Sequence, residues 1–401
     1  MASYLKDTLK KNALLVILLV TMLIFEVLLN VEGRTSLFSA ANLSNLIVQN
    51  GFIVILAIGM LMCIISGGNI DLSVGAIVIL VGAVAGMLMV QQGLNPYLTI
   101  LLCMIVGMLL GAWQGFWIAY VGVPAFIVTL AGMLSFRGLA LIFLGGRSIG
   151  PFPAEYLNLF NSFLPTRWLG DPTASQILLT TLAVGIALCV VILVVKTLSY
   201  IRKKRKGYAV SLASFVAPIL TCGAIIFLFY RLGENRGIPA VLVIIGVIAL
   251  IYNYFTQNTV WGRHLFAMGG NTKAARFSGI NTKRLLFFAY VNNGLLASVA
   301  ALVVVARFNQ ASTQAGLGFE LQAIAACFIG GASAYGGVGK VSGAVIGALF
   351  MGILNMGMSL LGWDINLQNV ISGLVLLAAV VFAVVSQKGG LKVMLKELFV
   401  S

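Results

Sequence analysis

Residues Trp261–Arg284, WGRHLFAMGGNTKAARFSGINTKR, form the longest polar interruption between two apolar segments of a 401-residue chain. The stretch holds five basic residues (Arg263, Lys273, Arg276, Lys283, Arg284), the only histidine, His264, and no acid. Its punctuation predicts a short helix. Asn271 can accept from the free amides of a first turn. Gly279 can sit left-handed just past the end, with apolar Ile280 next. Between them Thr272–Ser278 makes about two turns, with Ala274, Ala275 and Ser278 as a small-residue face. Lys273 in the first turn opposes the helix dipole and Arg276 in the last turn suits it. So short a helix needs its flanks or a partner to hold it. Two readings stay open: a charged cytoplasmic loop that only sets topology, or a docking element.

Around this stretch the chain is mostly apolar. Hydrophobic residues make up 61% of it and charged residues 9%, with mean hydropathy +1.08. A soluble domain carries roughly 25% charged residues, so the chain is an all-α polytopic membrane protein. The net charge of +15 is no nucleic-acid footprint, because the basic residues sit in short loops between apolar segments. Cys63, Cys103, Cys189, Cys222 and Cys327 all fall inside apolar segments, without metal or disulfide spacing. Lys6, Lys10 and Lys11 precede an apolar run as in a signal peptide. That run continues past Leu29 without a small-residue cleavage site, which makes it a first span.

Segments of spanning length, about 20 residues, fall at 12–31, 46–66, 72–91, 97–120, 124–145, 176–198, 209–230, 237–256, 285–306, 321–338, 341–361 and 366–386. Segments 72–91 and 321–338 are glycine-rich, which suggests broken or re-entrant spans and gives a range of ten to twelve helices. Non-helical backbone at that depth needs protein or a water cavity around it. With the N-terminus inside, eighteen basic residues fall on the cytoplasmic side and six outside, with Arg137 left within a span. The bias predicts both termini in the cytoplasm. The organisation is one transmembrane domain, 1–401, with an extracytoplasmic loop at 146–176 and a cytoplasmic loop at 257–284. The outer loop's aromatics, Phe152, Tyr156, Phe160, Phe163 and Trp168, are either interface anchors or a docking platform. Arg202–Lys206 reads as a topology determinant. A weak internal echo links Ile65-Ser-Gly-Gly68 with Ile329-Gly-Gly331, each followed by a Ser/Gly-bearing segment.

Few residues offer chemistry. In Ser66-Gly-Gly-Asn-Ile-Asp-Leu-Ser73, Asn69, Asp71 and Ser73 gather where Gly67 and Gly68 free the backbone. Asp71 is read first as a cap for the following helix, with a role in the pathway's inner mouth as the alternative. Arg137 needs a partner or a route to the membrane edge, with Asp71 or Glu26 as expected partners. Asn292 and Asn293 are interhelical hydrogen-bond glue or substrate-facing amides. The run Gly330–Lys340 invites a phosphate-loop reading, but Ala334 and Val341 occupy positions that the motif reserves for Gly and Ser/Thr. One histidine, no His/Cys set, and only Glu26 and Asp71 as expected intramembrane carboxylates give an enzyme or a proton-coupled carrier thin support. Polar, uncharged, glycine-rich spans suit a neutral hydrophilic solute moved by an outside energy source.

Across nearly its whole length the chain resembles the permeases of bacterial ABC monosaccharide importers, in the ribose, xylose and galactose branch. The resemblance rests on Gly67-Gly-Asn-Ile-Asp-Leu-Ser-Val-Gly75, Val123–Met133 with Arg137-Gly138, Gly262–Asn271 with Ala274–Ile280, and Gly330-Gly331 through Gly336–Gly339 and Gly343. The extra spans at 176–230 look most like xylose and multiple-monosaccharide members. The resemblance implies a type II importer-like permease in the inner membrane, working as a dimer with two cytoplasmic ATPase subunits and an extracytoplasmic sugar-binding protein. ATP and magnesium would bind on the ATPase, with no cofactor in this chain. It implies alternating access, with Gly269, Gly270, Asn271, Ala274, Ala275, Arg276, Ser278 and Gly279 in the segment that couples to the ATPase. Lys273 stands where the family's glutamate-alanine-alanine motif often has its acid. Asn69, Asp71, Ser73, Arg137, Asn292 and Asn293 are the pathway candidates. Outer Arg147, Arg167, Arg236 and Arg307 are candidates for docking the binding protein. The competing reading is a secondary carrier that acts without ATPases.

Overall fold

A computed structural model describes residues 13–165, 172–205 and 215–387. In chain order the helices are α1 (Ala13–Val31), α2 (Ala40–Ile65), α3 (Val74–Gly86), α4 (Pro96–Phe116), α5 (Ala125–Leu144) and α6 (Ala154–Phe160). After them come α7 (Ala174–Arg205), α8 (Val216–Asn235), α9 (Ala240–Asn258), α10 (Val260–Gly270) and α11 (Thr272–Phe277). The series ends with α12 (Thr282–Phe308), α13 (Phe319–Ile329), α14 (Val341–Leu360) and α15 (Ile365–Gln387). Helices α3 and α4 each finish in a π turn, Met87–Gln91 and Trp117–Val121. Two-residue strands β1 (Phe163–Leu164) and β2 (Ile238–Pro239) pair antiparallel in the outer loops. Ten of the described helices are long and apolar enough to cross a membrane. Lys6, Lys10, Lys11, Arg167, Trp168, Lys206 and the C-terminal lysines lie outside the described residues.

Helix α2 is the axis of the bundle, buried nearly end to end, with α12, α13 and α14 packed along it. Between lipid and protein there is no hydrophobic contrast to drive helix pairing, so close approach of small residues does that work. Gly107, Gly111 and Gly115 form a four-residue-spaced stripe on α4. The stripe lies against the backbone of α12 around Phe287, Tyr290 and Gly294. Helix α8 returns antiparallel along α7, Gly185 meeting Phe229 and Gly233 meeting Leu178. Helices α1, α7, α9 and α15 lie outermost and expose apolar side chains such as Leu19, Val190, Leu250 and Phe382, as lipid-facing surfaces do.

Each glycine-rich stretch adjoins a break, but only 321–338 is itself broken, its helix ending at Ile329. Segment 72–91 runs as one continuous helix from Val74 to Gln91, and the break lies before it at 66–73. After α2 the chain turns back, so that Asp71 meets Asn293, which also lies against Gly59. From Gly59 to the α2 C-terminus is about 9 Å of helix rise, which sets how deep α3 begins. The second break mirrors it from the other side. Residues Asn309–Gly318 leave α12 and follow α3 inward, Ala311 lying at Gly86 and Gly316 at Gly75 and Ile79. Helix α13 therefore starts deep, with Phe319 stacked on Phe52 of α2 at 4.1 Å. The two glycine breaks also touch: Gly68 packs on Ala334 and Gly336 on Gly67.

The outer loop folds inward rather than outward. Phe152, Tyr156 and Phe160 are buried. The Tyr156 hydroxyl donates to the Leu302 carbonyl at 2.6 Å, and Asn161 Nδ2 donates to the Ala306 carbonyl at 2.6 Å. These three aromatics fasten the loop to α12, which replaces the expectation of interface anchors or a docking platform for them.

Candidate functional site

The cytoplasmic element has the predicted form. Asn271 Oδ1 accepts from the Ala274 amide at 2.9 Å and opens α11; Gly279 follows its end at φ +82°. Ala275 is buried, whereas Asn271, Ala274, Arg276, Ser278 and Gly279 are exposed. Beside them stands a residue that the small-residue reading passed over. Phe277 is 91% exposed, an aromatic ring at the tip of a basic loop. Its signal in the sequence is the lone phenylalanine between Arg276 and Ser278.

This element is joined to the membrane core by backbone. A Cβ on Gly269 would collide with the Ile65 carbonyl and the backbone of Gly337, so only glycine lets the end of α10 lie there. Gly337 in turn donates its amide to the Ile65 carbonyl at 2.9 Å and lies against Gly270. The loop 330–340 thus contacts the C-terminal end of α10, the end of α2 and, through Gly67 and Gly68, the first break. The contacts from α10 to both breaks are therefore made by backbone, without a flexible side chain in between.

Where the two breaks meet, a polar cluster is enclosed. Asp71 Oδ1 accepts from the Ser73 amide at 2.8 Å and the Ser73 hydroxyl at 2.7 Å, and Oδ2 accepts from Asn293 Nδ2 at 2.7 Å. Ser73 also accepts from Gln114 Nε2. Asp71 therefore braces the turn before α3, while Ser73 occupies the N-cap position without a side-chain cap bond. The structural and pathway readings thus fall on one bonded group: Asp71, Ser73 and Asn293 converge. Asn69 stays nearer the surface, bonded to Ser66 Oγ at 3.2 Å, and Asn292 turns away to accept from Tyr252.

Glu320, which the sequence reading left outside the membrane, belongs to this cluster. It is 7% exposed in the first turn of α13, and its Oε2 reaches the Gly75 backbone so closely that a Cβ there would collide. The descending segment 309–318 is the reason: it carries the chain inward before α13 begins. Glu320 Oε2, Gln114 Oε1, Asn293 Oδ1 and the Tyr290 hydroxyl have no hydrogen-bond partner within the described chain. The expected pairing of Arg137 with Asp71 or Glu26 is corrected. Glu26 accepts from the Leu37 amide at 2.8 Å and from Asn30, and Arg137 forms no ion pair among the described residues. Arg137 instead lies within electrostatic reach of Glu320.

On the outer side, Arg147 and Arg236 are exposed, the latter over the Phe163 ring at 5.8 Å. Arg307 differs from them. It is half-buried, donates from Nη1 to the Gln49 carbonyl at 2.7 Å and covers the Phe308 ring at 4.8 Å. It borders a cavity of about 550 Å³ between α2, α13, α14 and α15 that the sequence reading did not foresee.

A bundle of apolar helices with two breaks, tied by backbone contacts to a capped cytoplasmic helix pair, is the architecture of a transport permease. The chain belongs to the permease family described as branched-chain amino acid transport system / permease component, which it matches over residues 42–152 and 154–380. It is 38% identical over 344 residues to the Escherichia coli K12 xylose transport system permease protein XylH, covering 85% of this chain and 84% of that one. It is 35% identical over 373 residues to XylH of Haemophilus influenzae, covering 92% and 96%. It is 32% identical over 343 residues to the E. coli K12 ribose import permease protein RbsC, covering 86% and 85%. No solved structure matches. The chain is a multi-pass inner-membrane permease of the ABC importer type.

Proposed function

We propose that this chain forms the pathway through which an ATP-driven importer admits a monosaccharide, with a pentose as the first candidate. Similarity to xylose and ribose permeases supports the substrate class. The observation that carries the mechanism is the backbone contact of Gly269 with Ile65 and Gly337. It lets a push on α10 and α11 reach both breaks.

In this reading two copies of the chain enclose the pathway, and an ATPase subunit sits under each. Gly269, Gly270, Asn271, Ala274, Ala275, Arg276, Ser278 and Gly279 couple to the ATPase, with Phe277 as the apolar anchor. ATP and magnesium bind there and not on this chain. Closure of the ATPases displaces α10 and α11. Segment 330–340 then shifts against Gly67 and Gly68, and the short helix α13 and the start of α3 part or close. Asp71, Ser73 and Asn293 hold the closed arrangement, while Asn69, Arg137 and Asn292 border the route. An extracytoplasmic binding protein supplies the affinity and docks on the outer face, where Arg147 and Arg236 offer exposed cations. Arg167 completes that candidate set from outside the described residues. Arg307 serves the interior instead, because its guanidinium is already engaged.

The test is sugar uptake into vesicles reconstituted with the permease, with and without the ATPase and binding protein. Uptake that requires both, and ATP, is expected. ATP-independent uptake by this chain alone would establish the secondary carrier instead.

A further inference from the structure

We propose that the outer cavity between α2, α13, α14 and α15 is a transit site for one neutral, polyhydroxylated molecule of monosaccharide size. The proposal rests on the reading above and adds the place and the chemistry of recognition. At about 550 Å³ the cavity falls within the range of small-molecule sites.

Its lining is unusual for a membrane span. Four helices contribute six carboxamides: Gln49 and Asn50 from α2, Gln322 from α13, Asn355 from α14, and Gln368 and Asn369 from α15. None of the six is buried: Asn369 is exposed and the other five are half-buried, so the amides line an open, hydrated cavity rather than a closed core. Some are engaged within the chain. Asn355 Nδ2 donates to Gln322 Oε1 at 3.3 Å, Gln368 Nε2 to the Trp363 carbonyl at 2.9 Å, and Asn50 Nδ2 to the Leu46 carbonyl at 3.3 Å. The side chains of Gln49 and Asn369 and the hydroxyls of Ser359 and Ser372 make no hydrogen bond within the described chain. Asn369 and Ser359 are exposed and the other two half-buried, so all four can face a ligand in the cavity. A carboxamide donates and accepts at once, as does a sugar hydroxyl, so the two are matched in kind.

Charge narrows the ligand. Among the described residues no carboxylate lines the cavity, and the one cation there, Arg307, is spent on the Gln49 carbonyl and the Phe308 ring. An amino-acid zwitterion would need a partner for each charge, and the described lining offers no anion. At the deep end half-buried Phe319, backed by buried Phe52 on which it stacks, offers apolar surface for the C–H face of a sugar ring. Phe319 and Gln322 border the cavity while Glu320, between them in sequence, meets α3 on another side. The first turn of α13 is therefore the wall between the transit site and the enclosed Asp71 cluster.

The experiment uses the full permease expressed with its ATPase and binding protein in cells, and radiolabelled D-xylose, D-ribose, D-galactose and L-leucine as probes. Asn369→Leu and Gln322→Leu are expected to lower initial sugar uptake about tenfold at equal membrane abundance. Asn369→Gln should retain most of it, and copurification with the ATPase checks that each variant folds. Asn369→Asp should also change the ratio between two transported sugars, whereas a structural defect lowers both alike. Wild-type sugar uptake with unchanged rates in both leucine variants would overturn the transit site, as expected if an acyl chain fills the cavity, and leave the permease reading standing. Wild-type uptake of leucine alone, or of no probe, would overturn the sugar reading itself.

Discussion

The exposed ring of Phe277 offers the sharpest test of the proposed docking role of α11. At 91% exposure it contributes almost nothing to packing within the chain. Phe277→Ala should therefore leave the stability of the membrane fold within about 0.5 kcal/mol of wild type. Its value lies at an interface. An aromatic side chain buries about 150–250 Å², and at about 25 cal/mol per Å² that is roughly 4–6 kcal/mol of gross transfer energy. The alanine methyl keeps part of this, and ordering and association costs remove more. About 2 kcal/mol remains, equivalent to a loss of roughly 30-fold in affinity. The assay is titration of the purified ATPase onto nanodisc-embedded permease, followed by sugar uptake with the same variant. Phe277→Leu should fall between the two. A Kd for Phe277→Ala within about threefold of wild type would refute the anchor and leave α11 as a topology signal only.

Three further outcomes follow from the contacts inside the bundle. Gly269→Val sets a branched side chain against the Ile65 carbonyl and Gly337. It should cost about 1–3 kcal/mol in thermal stability and uncouple ATP hydrolysis from uptake while the ATPase still binds. Asp71→Asn turns one acceptor into a donor that faces the Asn293 Nδ2 or the Ser73 donors. A loss of about 1–3 kcal/mol in detergent melting is expected, and the exchange Asp71→Asn with Asn293→Asp should recover most of it. The native cysteines described are all 7% exposed or less, so an impermeant maleimide meets a low background. Ser278→Cys should react only from the cytoplasmic side and Ser175→Cys only from outside; the reverse pattern would overturn the orientation.

The parts of this fold that could be read from sequence are those whose signal is local. Asn271 and Gly279 each act within one helical turn, so α11 could be placed by its caps alone. Gly67, Gly68, Gly330 and Gly331 mark breaks because glycine releases the backbone where it stands. Periodicity, by contrast, says little here, because α2 is apolar where it faces protein and α15 is apolar where it faces lipid. Depth was the harder quantity. A span drawn from residue 321 leaves Glu320 at the membrane edge, and only the inward path of 309–318, laid against Gly75 and Gly86, carries it to the centre.

The same limit explains the missed cavity. Asn355 and Asn369 each look like a tolerated polar residue in an apolar run, and no spacing rule connects them across α14 and α15. What unites the amides is the shared position of α13, which is short because the span before it is broken. That break puts Phe319 and Gln322 at the cavity and Glu320 at the Asp71 cluster within one turn. A helix fixed at both ends could not open one side while closing the other. One that begins at mid-depth and ends in the loop held by Gly269 and Ile65 can do so. The alternating access proposed for this chain therefore depends less on any single polar group than on the shortness of α13.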